Sequence, residues 1–133
     1  MQALDAGGAR ADAAEATLRA LDPRALVEAL ASGWPRLAEL GRRRAVELLG
    51  PLPGDGAGDL LERAARDPDD GVSDRAVWWL ERRPDGARSL ASLLGDPVRD
   101  DRAALALGRR FPAEAVSRLL AALAQPGGAD RPA

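Results

Sequence analysis

Apolar residues recur along this chain with the spacing of amphipathic helices, and no stretch alternates with the period of two that marks a half-buried strand. The clearest stripe comprises Val116, Leu119, Leu120 and Leu123, which share one helical face. We predict eight helices, at about 9–20, 23–31, 35–49, 59–66, 72–83, 84–94, 98–110 and 112–124. The pattern therefore predicts an all-α protein.

Proline and glycine separate these segments. Asp22 followed by Pro23 is typical of a helix start, with Asp22 as the N-cap and Pro23 at the first helical position. Pro84 and Pro112 also fall at predicted boundaries. Residues 50–58 contain the longest run of helix-breaking residues, and we expect a loop and a bend there.

A repeat organises the centre of the chain. Residues 67–83 and 96–110 both read as Asp-Pro, a turn, and an apolar-rich helix with an Arg-Ala step. The matching arginines are Arg44, Arg75 and Arg102, which lie 31 and then 27 residues apart. This spacing predicts stacked antiparallel helix pairs, about three and a half of them, in one domain. We assign that domain to 9–124, with a frayed N-terminus at 1–8 and a disordered tail at 125–133.

Composition narrows the possible chemistry. The chain has 133 residues, a net charge of −2, and neither cysteine nor histidine. Thiolate nucleophiles, zinc-thiolate sites and imidazole bases are therefore excluded, and no catalytic motif is formed by the remaining reactive groups. We expect no enzymatic activity, no metal and no cofactor. The acidic balance also disfavours general attraction to nucleic acid or anionic lipid.

Residue usage points to the source and location. Lysine, asparagine, isoleucine and tyrosine are absent, while alanine, arginine, glycine and proline are abundant. This bias indicates a high-GC bacterial genome, so arginine in place of lysine reflects codon usage. No signal peptide and no apolar run near ~18 residues occur, so we expect a cytoplasmic protein without a membrane span.

The pattern D-P-x-x-x-V-x-x-R-A-x-x-x-L resembles the short HEAT-like repeats of bacterial bilin-lyase-type proteins. The residues that carry it are Asp67, Pro68, Val72, Arg75, Ala76 and Leu80, then Asp96, Pro97, Val98, Arg102, Ala103, Leu107 and Gly108. The second copy has one extra residue between its valine and its arginine. The resemblance implies an α-α superhelix, or solenoid, whose third, fifth and seventh helices line a concave, partner-binding side.

Two adjacent tryptophans are candidates for different roles. Trp79 shares a stripe with Val72 and Leu80, which predicts a core position. Trp78 points about 100° away, and Arg82, four residues on, is placed to lie over its ring. Trp78 is either an aromatic anchor for a partner or packs against a neighbouring helix. Trp34 is predicted to be a lid on the core.

Charged residues recur at matching positions of the repeat. Asp74-Arg75 and Asp101-Arg102 form either a ladder that faces a ligand or a set of contacts between repeats, and we favour contacts between repeats. Arg43 lies in the only basic cluster, 42–44, which is either a binding surface or a solvated face.

The sequence does not match the motifs of two familiar types of ligand-binding site. Counted from Asp67, Gly71 occupies position 5 and Trp78 position 12, so an EF-hand calcium loop is excluded. The glycine-rich run 54–58 lacks the Lys-Ser/Thr sequel of a phosphate loop.

These observations favour a non-catalytic adaptor that binds a protein partner through its concave face. The expected contact residues are Trp78, Arg82, Asp74, Arg43 and Asp101. Two alternatives stay open: a nucleic-acid-binding module similar to bacterial alkylation-repair glycosylases, and an accessory lyase or chaperone for a bilin-type ligand. The Ala-rich first helix is a weak cap for a stack, so we also expect self-association through that end.

Overall fold

The computed structural model describes Leu4 and residues 8–95 and 100–124. Those residues include eight α-helices and the 3₁₀ turn Trp34–Arg36, with no strand among them, which confirms the predicted all-α class. The helices are α1 (Gly8–Arg19), α2 (Pro23–Gly33), α3 (Glu39–Leu49), α4 (Asp55–Ala65), α5 (Asp70–Arg82), α6 (Gly86–Ser92), α7 (Asp100–Arg110) and α8 (Pro112–Ala124).

Aspartates cap the starts of two helices. Asp22 accepts a hydrogen bond from the backbone N–H of Ala25 at 3.0 Å, and Pro23 opens α2, as predicted. Asp69 caps α5 in the same way by accepting from the N–H of Val72 at 2.9 Å. Each cap satisfies a backbone donor that the first turn of a helix leaves without an intrahelical partner.

The helix starts differ most from prediction around the 50–58 segment. The loop ends early, because α4 begins at Asp55 and takes Gly56 and Gly58 into its first two turns. A Cβ on Gly56 would lie 3.2 Å from Val27 Cγ1, which is a tight contact, so the small residue lets α2 approach the helix closely. Close packing here outweighs the low helix propensity of glycine.

The start of α3 also differs. Pro35 lies in a 3₁₀ turn, Trp34–Arg36, and α3 begins only at Glu39. Leu37 between them is extended and 4% exposed, so it enters the core from outside any helix. Trp34, which the sequence predicts to be a lid on the core, is 5% exposed and packs in that same core.

The helices pack in two rows. Helices α3, α5 and α7 lie side by side in one row, and α2, α4 and α6 form the other. Consecutive helices from α3 to α8 contact each other, so the chain passes back and forth between the rows. The core lies between them and is rich in fully buried leucines, among them Leu30, Leu49, Leu61, Leu80 and Leu90. This packing is consistent with a helical repeat.

The ends of the chain are described in part. Within the N-terminal segment predicted to be frayed, Leu4 is fully buried in the core. The predicted tail 125–133 and the Asp96-Pro97-Val98 start of the second repeat lie outside the described residues. Across the described ranges, every helix falls short of the length and apolar character that a membrane crossing requires.

Candidate functional site

The junction between α3 and α5 is built around Glu47. Its carboxylate accepts two hydrogen bonds from the guanidinium of Arg75, at 2.9 and 2.5 Å. It also accepts a hydrogen bond from the indole N–H of Trp79 at 3.1 Å. The hydrogen bonds from Arg75 are the main cause that holds the pKa of Glu47 below its usual range. One carboxylate therefore fixes two side chains of α5.

Trp78 lies beside this junction and is covered by arginines of its own helix. The guanidinium carbon of Arg75 lies 4.1 Å from the centre of the Trp78 ring, and that of Arg82 lies 3.6 Å from it. Arg82 also donates to the Trp78 carbonyl at 2.8 Å, so it takes the predicted place over the ring. Trp79 packs edge to face against Trp78 at 4.9 Å and, as predicted, against the core. The half-buried Trp78 is thus held rigidly.

Ion pairs tie α7 to α5. Arg102 lies 2.7 Å from Asp74 and also donates to the hydroxyl of Ser73 at 2.9 Å. Arg109 donates to the buried carboxylate of Glu81 at 2.9 and 2.5 Å. In both pairs the acid lies 28 residues before the arginine.

The pair of α3 and α5 has the same spacing, since 28 residues also separate Glu47 from Arg75. These contacts between neighbouring helices match the structural interpretation of the charged ladder. The acid differs between the pairs, because Arg75 contacts a glutamate and Arg102 contacts an aspartate. Asp74 is therefore engaged within the fold, while Asp101 lies exposed near the start of α7.

The basic cluster on α3 is neutralised by acidic side chains. Arg42 Nε lies 2.7 Å from Asp67 Oδ2, and Arg43 lies 3.1 Å from Asp69 and 2.7 Å from Glu39. The hydrogen bond from Arg43, followed by the backbone N–H of Val72, holds the pKa of Asp69 below its usual range. Arg43 therefore supports the N-cap of α5 and is only partly available to a partner.

An exposed leucine lies on α7, the helix that packs beside the helix of Trp78. Leu105 on α7 is 67% exposed, one turn after Arg102 and one turn before Arg109. Because Arg102 contacts Asp74 and Arg109 contacts Glu81, α7 runs beside α5 in the same direction, and this register puts Leu105 level with Trp78. We call Trp78 and Leu105, with these two framing ion pairs, the Trp78–Leu105 surface.

Sequence reasoning missed Leu105 and Glu47 as parts of the site, and it considered Arg75 only as a member of the charged ladder. A signal for Leu105 was present, because aligning the repeats on Arg75 and Arg102 puts Leu105 at the position of Trp78. The partner of Arg75 had no such signal, since the contact joins two helices 28 residues apart.

Trp79 also lines a cavity of about 480 Å³. Residues 50–54 and 82–85 line it with the indole of Trp79. The guanidinium of Arg83 holds the loop in place by donating to the carbonyls of Gly50, Leu52 and Gly54, and it also binds Asp85. No cluster of three acidic side chains suited to a metal ion occurs in the described part of the chain.

The structure brings only some of the predicted contact residues together. Trp78 and Arg82 touch, Asp74 binds α7, and Arg43 binds the start of α5. Comparisons of this chain with models of known families, with characterised proteins and with solved structures give no significant match.

Proposed function

We propose that this protein is a cytoplasmic, non-catalytic interaction module that binds a protein partner on the outer side of the α3, α5 and α7 row. The observation that carries this proposal is the Trp78–Leu105 surface: a leucine that is 67% exposed, on the helix that packs beside a tryptophan fixed by two arginines. The resemblance to HEAT-like repeats implies that this row is the concave side of the stack.

The chemistry of the surface resembles that of an interface hot spot. Tryptophan and arginine are the residues most enriched in such spots, and a rigid aromatic ring loses little conformational entropy on binding. Leu105 adds an aliphatic contact on the neighbouring helix, and the exposed Arg82 and Arg109 lie at the rim. We therefore propose a partner segment that presents an apolar side chain flanked by acidic ones.

The two alternatives have weaker support. Nucleic-acid binding depended on the cluster Arg42–Arg44, whose side chains are paired with carboxylates, Arg44 with Glu15 at 3.9 Å. The bilin-type alternative depends on the repeat resemblance alone. Neither is favoured by a specific contact, so we do not adopt them.

The test is affinity capture from a lysate of a high-GC bacterium with wild-type protein, Leu105→Glu and Leu21→Glu. Leu105 and Leu21 are both exposed, so neither charge disturbs the core, and circular dichroism checks that all three proteins remain helical. We expect one protein from the lysate to be captured by wild type and by Leu21→Glu but not by Leu105→Glu.

A second variant, Trp78→Ala with Arg82→Ala, should lose the same protein. Equal capture by wild type, Leu105→Glu and the double variant would remove the site from this surface. Recovery of nucleic acid without protein would overturn the proposed function itself.

A further inference from the structure

Helix α8 exposes an apolar stripe that no other described element covers. Val116, Leu119, Leu120 and Leu123 are each 54–73% exposed. The helix is attached on its other side, where Phe111 and Ala115 are half-buried against the core. A helix with this strong amphipathic pattern normally buries its apolar face, so the stripe is a surface in need of an occupant.

The size of the stripe fits a weak, specific contact. Four aliphatic side chains that are more than half exposed present on the order of 300 Å² of apolar surface. Two such stripes together with their rims approach the ~1,000 Å² at the lower limit of biological interfaces. An interface of this size is expected to form at micromolar or higher protein concentration.

The charges of α8 favour a second copy of the same helix over a charged partner. The two charged side chains of α8 are Glu114 and Arg118, which pair with each other at 2.9 Å. The stripe itself carries no charge, so it does not attract a partner of either charge. A surface of this kind is complementary to itself.

We propose that two copies of this chain associate through α8, packed antiparallel about a two-fold axis near Leu119 and Leu120. In that arrangement Val116 lies against Leu123 of the other copy, and Leu119 lies against Leu120. Antiparallel packing sets the positive N-terminal end of each helix dipole beside the negative C-terminal end of the other copy, whereas parallel packing sets like ends together. The helix dipoles therefore favour the antiparallel pair.

This inference goes beyond the proposed function and does not depend on it. It concerns α8, at the opposite end of the chain from the Ala-rich first helix for which the sequence predicts self-association. Because an α8 pair is built from the last helix, it leaves the row of α3, α5 and α7 open in both copies. A dimer would therefore present two Trp78–Leu105 surfaces.

The first test is sedimentation equilibrium over a wide range of protein concentration. Wild type should show a reversible monomer–dimer equilibrium. Leu120→Glu places two carboxylates at the axis and should weaken association by at least ~100-fold. Leu105→Glu, a matched change on a different surface, should associate like wild type. A monomer at every concentration, or a dimer unchanged in Leu120→Glu, would overturn the proposal.

The second test uses the absence of cysteine from the chain, so each introduced thiol is unique. Mixing Val116→Cys with Leu123→Cys under mild oxidation should give a disulfide-linked dimer, and Leu119→Cys mixed with Leu120→Cys should do the same. Val116→Cys alone should stay unlinked. Efficient self-linking of Val116→Cys without linking in the mixtures would indicate parallel packing and overturn the antiparallel arrangement.

Discussion

The indole of Trp79 occupies the space that a side chain on Gly50 would need, because an ideal Cβ on Gly50 would overlap the ring. Gly50 has ordinary helical angles, φ −49° and ψ −51°, so its backbone does not require glycine. Glycine is required there because the Trp79 ring approaches so closely. This contact fastens α5 to the end of α3, one turn from the place where Glu47 accepts the Trp79 N–H.

Gly50→Ala should therefore destabilise the protein. We expect the free energy of unfolding to fall by about 1–3 kcal/mol, the usual cost of overpacking a filled site. Urea denaturation gives the value. Gly108→Ala is the matched control, because no atom lies within 4 Å of its Cβ position, and alanine there should add up to ~1 kcal/mol through helix propensity. Equal stability of Gly50→Ala and wild type would show that Trp79 moves aside freely.

Arg83→Met should be more damaging than loss of an exposed arginine. Arg83 is 6% exposed and satisfies the carbonyls of Gly50, Leu52 and Gly54. Methionine keeps much of the side-chain volume but donates to none of them, so we expect a loss of about 3 kcal/mol in urea denaturation. Arg88→Met, which removes an exposed pair with Asp59, should cost less than about 1 kcal/mol. Similar losses in the two variants would contradict this role.

Local signals in the sequence were enough to predict the helices and some of their boundaries. Helix α8 has the predicted bounds because Pro112 opens it and its apolar stripe is regular, and Asp22 and Pro23 fix the start of α2. The start of α4 was not predictable in this way. Gly56 and Gly58 read as helix breakers, yet both are helical, and at Gly56 the side chain of Val27 leaves little room for a Cβ.

In the candidate site, too, some contacts could be predicted from local sequence and others could not. Arg82 over Trp78 follows from a spacing of four residues on one helix, so the sequence could predict it. The Glu47–Arg75 pair and the position of Leu105 depend on how α3, α5 and α7 are set against one another. That register is a property of tertiary packing, and no local pattern specifies it.

Arg109→Met should leave the buried carboxylate of Glu81 without its main partner. Glu81 is 8% exposed, and Arg109 donates to it twice. We expect the free energy of unfolding to fall by about 1–3 kcal/mol, because a buried acceptor that loses a charged donor is costly. Arg118→Met breaks a pair on the exposed face of α8 and should cost less than about 0.5 kcal/mol. If the two arginines prove equivalent, Glu81 is adequately solvated without Arg109.

Stability should decline at acidic pH partly because of Glu47. The hydrogen bonds from Arg75, helped by the one from Trp79, lower its pKa in the folded protein below the ordinary 4.5, against the opposing effect of burial. The unfolded chain then binds the proton more readily than the folded one. The stabilising contribution is therefore complete above about pH 5 and is lost as the pH falls through the lowered pKa.

Urea denaturation across this pH range compares wild type with Glu47→Gln, and urea is chosen because it leaves the ionic strength unchanged. Glutamine keeps an oxygen for the Trp79 N–H but not the charge that Arg75 binds. Glu47→Gln should be less stable than wild type at neutral pH and should lose less stability on acidification, so that the two curves converge. The lowered pKa of Asp69 leaves some acid sensitivity in both proteins. Curves that stay parallel throughout would show that the Glu47–Arg75 pair adds nothing to folding.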